Sequence, residues 1–259
     1  MNQTLSPIIF KYVANLFFII FIFSCKNDID KTTEISQPQN KQVEKLEVRN
    51  IKPYANLLAL DGLKGKVKSM TKTTFHAQRK KGVVTKVAMG NMYKTSYDSL
   101  GNGIERKYFN SESKLQTLTK YQIDHTRKSN QAIVYSSTKS IIKTLTFKYD
   151  KNQNLIEEIG YNSKNQILSK QIFQYNSKGE LASEIKYGAN NQFDIKTSYI
   201  YDSLGFPIVT KFYRPENSMI IECKTTYSNI DQHGNWLKSI EQTNKGSLFI
   251  VERKIEYYK

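Results

Sequence analysis

Along the middle of the chain, apolar residues fall on odd positions. Ile141, Leu145, Phe147 and Tyr149 are followed by Leu155, Ile159 and Tyr161. Leu181, Ile185 and Tyr187 come next, then Met219, Ile221, Cys223 and Tyr227. Even positions carry Lys148, Glu158, Lys170, Glu184, Lys186, Lys196, Glu222 and Lys224. Alternation of this kind marks strands with one buried and one wet face. Val67 and Phe75 against Lys66, Lys68 and Lys72 extend it toward the N-terminus, and Ile172, Ile200 and Phe212 depart from it.

The pattern repeats every 26 residues, at Tyr97, Ile123, Tyr149, Tyr175, Tyr201 and Tyr227. Each is followed by a turn former: Asp98, Asp124, Asp150, Asn176, Asp202 or Ser228. Twelve residues after the first five stand Phe109, Tyr135, Tyr161, Tyr187 and Tyr213, and only Ser239 breaks the series. "YDSLGN", "YNSKGE" and "YDSLGF" share Tyr-Asx-Ser-x-Gly, in which Asx and Ser open a turn and Gly supplies positive φ. "YNSKNQ" and "YGANNQ" use Asn in the alternate turns. Each unit therefore reads strand, turn, strand, turn, in steps of about 13 residues.

These observations predict an all-β fold, a meander of antiparallel hairpins with around a dozen strands. It curls over its apolar face into an open trough or a barrel-like sheet. Because 26 is even, odd positions are expected to face the same way in every unit. Each tyrosine closes a strand, its ring on the apolar face and its hydroxyl at the rim, building aromatic ladders at both ends. "SNIDQHGNW" inserts three residues before its Gly, which makes the last unit a divergent cap. A short helix is expected near Tyr54 to Leu60, ended by Asp61-Gly62.

The turn signatures and "HGNW" at 233–236 resemble the YD repeats of Rhs and teneurin-type proteins, over roughly residues 63–259. In that family such repeats form β-hairpin sheets that curl into a shell, and carbohydrate binding has been proposed for some members. The resemblance implies a recognition or structural module. It does not bring the toxin role, because six units are too few to enclose protein cargo and no "DPxG"-type autocleavage motif is present.

The N-terminus changes the picture. Lys11 precedes a short apolar stretch, Val13 to Phe23, and then Ser24-Cys25. The stretch is too short for the ~20 residues of a spanning helix and suits a signal-peptide core. "IFSC" resembles a bacterial lipobox, which makes Cys25 the expected lipidation site. Lys26, Asp28 and Asp30 are similar to the export tag of Bacteroidota surface lipoproteins. The expected organisation is a signal peptide at 1–24, the lipidated Cys25 with a polar tether at 25–50, and the β-repeat domain at 51–259. The expected location is the bacterial outer membrane, lipid-anchored, on the periplasmic or cell-surface side.

Charge adds little. Lys and Arg number 39 against 23 acids, for +16, with "RKK" at 79–81 the densest cluster. Lysines on the wet side of strands also oppose sheet association. Once Cys25 carries lipid, Cys223 has no disulfide partner and reads as a small buried hydrophobe. His76, His125 and His233 lie far apart, without metal-ligand spacing, and read as surface or turn residues. Glu157 and Glu158, as strand neighbours, point to opposite faces and cannot flank one glycosidic bond. No catalytic, metal or cofactor residues are expected, and no ligand-binding residue can be named. The expected function is a non-catalytic binding module of the cell envelope, with the membrane, a glycan or an envelope protein as partner and no nucleic acid. A structural or assembly lipoprotein is the alternative, with an envelope hydrolase behind it.

Overall fold

The computed structural model describes residues 57–259 except 124–128 and 153. The expected signal peptide at 1–24, Cys25, the expected tether and His125 lie outside the described residues. Helix α1 (Leu57–Leu60) comes first, and Asp61-Gly62 ends it, as the sequence suggests. β1 (Val67–Lys80) and β2 (Val83–Tyr97) form the longest hairpin. β3 (Gly103–Phe109), β4 (Leu115–Ile123), β5 (Ser129–Ser136), β6 (Ile141–Tyr149) and β7 (Leu155–Tyr161) follow. β8 (Ile167–Tyr175), β9 (Leu181–Gly188), β10 (Phe193–Tyr201) and β11 (Pro207–Tyr213) continue the meander. β12 (Met219–Ile230), β13 (Trp236–Thr243) and β14 (Leu248–Tyr257) complete it.

All neighbours are antiparallel, and β14 pairs with β1, so the sheet closes into a barrel rather than an open trough. Closure removes both free edges of the meander.

The turns build the register. In each regular hairpin the Asx side chain accepts backbone N–H bonds from two and four residues ahead; Asp202 Oδ1 takes them from Leu204 and Phe206, both at 2.9 Å. Asp98, Asn110, Asn162, Asn176 and Asp231 repeat this arrangement. The residue three after the Asx takes positive φ, as Gly at 101, 179, 205 and 234, as Ser at 113 and as Asn at 165. A one-residue shift beside the turns of the wall, as between Lys148 and Tyr149, sets the flanking ladder, and the Asp231 turn alone among these Asx turns lacks one.

That shift corrects the expected facing. Register pairs Leu145 with Gly160, Phe147 with Glu158, Glu158 with Gln171 and Phe173 with Glu184. It continues through Glu184 with Thr197, Thr197 with Phe212 and Phe212 with Ile221. Cross-strand partners share a face, and this one is buried. Odd residues therefore turn inward on β6, β8, β10 and β12, and even residues on β7, β9 and β11. The even recurrence of 26 spans two strands. Each strand advances by 13, an odd number, so parity reverses at every hairpin. Glu158 and Glu184, expected on the wet face, are 5% and 2% exposed. Phe212, an exception to the odd rule, is an interior residue, while Ile200 lies outside at 49% exposure. Lys72 also turns inward, level with Arg253 and Tyr93.

The interior is thus mixed rather than apolar. The outer wall carries Lys86–Glu252, Lys170–Glu157 and Lys211–Glu222 ion pairs. Such charges oppose a lipid-facing band like that of a transmembrane barrel.

The strand-closing tyrosines do reach inward, but their hydroxyls latch the backbone. Tyr175, Tyr201 and Tyr227 donate to the carbonyls of Leu155, Leu181 and Pro207, each 20 residues earlier, at 2.8–2.9 Å. Their ring partners among the described residues are Tyr199 for Tyr201 and Phe206 and Trp236 for Tyr227, in place of a tyrosine ladder.

Candidate functional site

Segment 57–66 covers part of the barrel end that carries the Gly-containing turns. Leu58 N–H bonds to the Gly101 carbonyl, and Lys64 N–H to Asn235 Oδ1 at 2.8 Å. Leu63, Val67, Met70 and Tyr97 form an apolar cluster with Leu57, Leu58, Ile255 and Tyr257. A side chain at Gly103 would place Cβ 2.5 Å from Leu57 Cδ2, so glycine lets the segment seat. Gly65 places its backbone beneath the His233 ring, which lies 4.0 Å from that of Tyr257.

Asp61 sits at the centre of this covering. Its Oδ2 accepts from Tyr97 Oη and from Arg106 Nη2, both at 2.5 Å, and its backbone carbonyl accepts from Arg253 Nη2 at 2.8 Å. Arg106 Nε donates to Thr95 Oγ1. Burial works against the Arg106 cation, but the adjoining Asp61 carboxylate with Tyr121 and Tyr97 together outweigh it and raise Arg106 above its ordinary range. Burial, with Asp61 beside it, pushes the Tyr97 phenol up.

Below Asp61, Lys72 and Arg253 are direct cross-strand partners on β1 and β14. Like charges directly opposite destabilise a sheet unless something compensates. Burial, and then Arg253, bring the Lys72 ammonium down to about 8, and burial brings Arg253 down to about 10. Glu241 supports both cations, while burial raises its own carboxyl. The Arg253 guanidinium lies 3.5 Å over the Trp236 ring. Its Nε and Nη1 are shut off from solvent and have no hydrogen-bond partner. Alongside runs a cleft of about 460 Å³ walled by Asp231, Gln232, Leu237, Arg253, Lys254, Ile255 and Tyr257. Asp231 accepts from the Tyr257 hydroxyl and from the N–H groups of His233 and Asn235, bonds that draw its carboxyl below the ordinary range against the opposing effect of burial.

A second polar group occupies the interior of the repeating wall. Glu184 accepts from Gln171 at 2.6 Å and Tyr199 at 2.7 Å, and Glu158 is stabilised by Lys143 and Lys186. Burial raises both carboxyls and lowers the Lys143 ammonium. Every polar contact resolved there is internal.

Among residues singled out in the sequence, Glu157 and Glu158 do part: Glu157 pairs with Lys170 on the outer wall and Glu158 is interior. Cys223 is buried, and burial pushes its thiol up to about 12, as suits an inert core residue. His233 lies in a turn, as expected. His76 corrects the surface reading: it is partly buried on β1, its ring 5.4 Å from that of Phe249. Arg106, Glu241 and Arg253 were not singled out, and Asp61 and Lys72 were read only as a helix stop and a wet-face lysine. One available signal was Glu158 and Glu184, acids 26 residues apart in the same register.

No family model matches the chain, and no curated sequence does. Among solved structures, a porin-like protein from Bacteroides uniformis is similar at 9% identity and a TM-score of 0.44, over 74% of this chain and 99% of that one. A LolA superfamily protein from Nitrosomonas europaea is similar at 10% identity and a TM-score of 0.32, over 75% and 87%. The Photorhabdus luminescens Tc holotoxin pore is similar at 16% identity and a TM-score of 0.30, over 61% of this chain and 9% of that one. Likenesses this low say nothing about ligand or activity.

Proposed function

We propose that the protein is a lipid-anchored, non-catalytic binding module of the bacterial cell envelope, tethered to the outer membrane through Cys25, whose ligand enters the cleft beside Arg253. The observation that carries this reading is the cleft itself: a recess at the barrel end, backed by a guanidinium with two unpartnered donors. Pockets with a few convergent polar groups are the default binding sites of a fold. The charged outer wall supports a barrel held beside a membrane by its lipid rather than one embedded in it. The tyrosine and Asx units that resemble YD repeats supply a rigid frame. Binding of the protein to a panel of glycans and peptidoglycan fragments tests the reading. Saturable binding of at least one is expected, and silence across both classes counts against it.

A structural role is favoured by a different observation. Beyond Asn91 and His76, the β1–β2 hairpin pairs only with itself among the described residues. Its tip exposes Val83 and Val87, 62% and 60% accessible, beside Arg79, Lys80 and Lys81. Free strand edges of this kind recruit a partner by strand addition. Native mass measurement and crosslinking on cells distinguish this reading, because only it requires a stable protein complex.

A further inference from the structure

We infer that the cleft between β13 and β14 takes an extended peptide, which adds a strand to the open edge of β14 and sets an acidic side chain against Lys254. The inference rests on the binding reading above and adds the class of ligand.

The cleft lies in a gap that the repeat leaves unlatched. At the barrel end that carries the Gly-containing turns, the pairing of β7 with β8 stops at Glu157 and Ile172, short of the strand ends. That of β9 with β10 stops likewise at Ser183 and Ser198. A tyrosine closes such gaps: Tyr175 donates to the Leu155 carbonyl, Tyr201 to that of Leu181 and, between β11 and β12, Tyr227 to that of Pro207. β13 and β14 part in the same way after Lys238 and Glu252, while β14 runs on to Tyr257. Here the closing tyrosine does not latch the neighbouring backbone. Tyr257 instead donates to the Asp231 carboxylate and accepts from Asn235 Nδ2 at 2.7 Å. The cleft of about 460 Å³ has Gln232 and Leu237 on one side of this gap and Lys254, Ile255 and Tyr257 on the other.

The edge of β14 offers the groups that a strand pairs with. In an antiparallel ladder each residue turns its N–H and carbonyl to one neighbour, and the next residue turns to the other. The Tyr258 N–H bonds to the Lys66 carbonyl, on the β1 side. Lys254 and Glu256 therefore turn toward β1 as well. Arg253, Ile255 and Tyr257 turn their backbone groups to the gap, where β13 supplies no ladder partner. An added peptide strand meets those groups. Register then sets its side chains, because cross-strand partners share a face. The residue opposite Lys254 lies beside an exposed ammonium that has no ion pair among the described residues. The acids two positions away on β14 are engaged, Glu252 by Lys86 and Glu256 by the Ser69 hydroxyl. The two flanking residues turn to the face of Ile255, which with Leu237 gives apolar surface. The ligand pattern is thus apolar, acidic, apolar.

The blocked peptide Ac-Ser-Val-Glu-Val-Ser-amide, titrated into the full chain by calorimetry, tests the inference. Saturable binding is expected, with a dissociation constant on the order of 1 mM or tighter for so short a probe. Two control peptides should bind at least about tenfold more weakly. One carries Lys in place of Glu; the other is N-methylated at both valines and so lacks the two amide donors that face β14. Lys254→Glu changes an exposed side chain, leaves the barrel intact, and should reverse the order of the glutamate and lysine peptides by a similar factor. Equal binding of the N-methylated peptide overturns the proposal. Binding of the glutamate peptide that Lys254→Glu leaves unchanged also overturns it, because the peptide then sits elsewhere, as on the β1–β2 hairpin. Silence of every peptide overturns it too. A glycan that binds where the peptides are silent leaves the binding reading standing and removes the peptide alone.

Discussion

The wall from β3 to β12 and the seam formed by β13, β14, β1 and β2 are built from the same kind of strand and behave differently. In the wall, strands of mostly 7–9 residues advance by 13, and the turns at Asn110, Asn162, Asn176 and Asp202 repeat the same Asx geometry. Its buried acids have partners: Glu184 has Gln171 and Tyr199, and Glu158 has two lysines. At the seam the step is lost. Register pairs Cys223 with Thr243 and Ser239 with Val251, odd with odd, after the three residues inserted at 228–230. The strands of the closing hairpin reach 14 and 15 residues. There the interior collects Asp61, Lys72, Glu241 and Arg253, with Arg106 reaching in from the adjoining β3 and the cleft beside them. A repeat satisfies its polar groups by copying one solution, so unsatisfied groups accumulate where the copying ends.

If this contrast is right, the largest effects come from the seam. Asp61→Ala leaves Arg106 as a buried charge without its partner and should destabilise the fold by about 3–5 kcal/mol in denaturant unfolding. A loss near 1 kcal/mol would mean that the covering segment is peripheral. In the wall, Tyr175→Phe and Tyr201→Phe each remove one latch to a carbonyl and should cost about 1 kcal/mol. The two values should agree, because the latches are copies. A disparity of more than about 1 kcal/mol would break the equivalence of the units.

Titration separates the regions further. The folded Lys72 ammonium lies at about 8, below the ordinary 10.5. Between these values the unfolded chain binds the proton that the folded chain has released, so stability rises with pH across that window. The Cys223 thiol, pushed up from 9.0 to about 12 by burial, acts oppositely above pH 9, and the buried tyrosines do so above pH 10, where unfolded phenols ionise first. Unfolding midpoints between pH 8 and 9 should therefore climb, and Lys72→Met should flatten the climb. The smallest effect is expected at Cys223, whose raised thiol and burial should leave it unreactive to thiol reagents until the protein unfolds.

Much of the wall was legible in the sequence. The strand-turn alternation, the Asx-Gly turns, the short helix before Asp61 and the inert Cys223 follow from local chemistry, which sequence displays directly. The facing of half the strands was not, because a bulge beside each turn makes the step odd while the visible recurrence stays even. Closure was also hidden, since β1 and β14 meet across almost the whole chain. The site was less legible still. Arg253 sits within "VERKIEYY" among other charges, and only the pairing to Lys72 and the contact with Trp236 distinguish it. Asp61 reads as a turn residue and becomes a buried acceptor only once the segment covers the barrel end.

The central claim is that successive strands present opposite parities to a closed, partly charged interior. Single cysteines at 158, 159, 184 and 200, placed in a Cys25→Ser background and probed with a thiol reagent, test it most directly. Ile159→Cys and Ile200→Cys should label readily in the folded protein, whereas Glu158→Cys and Glu184→Cys should be protected. Protection of position 159 together with rapid labelling of 158 and 184 would contradict the account.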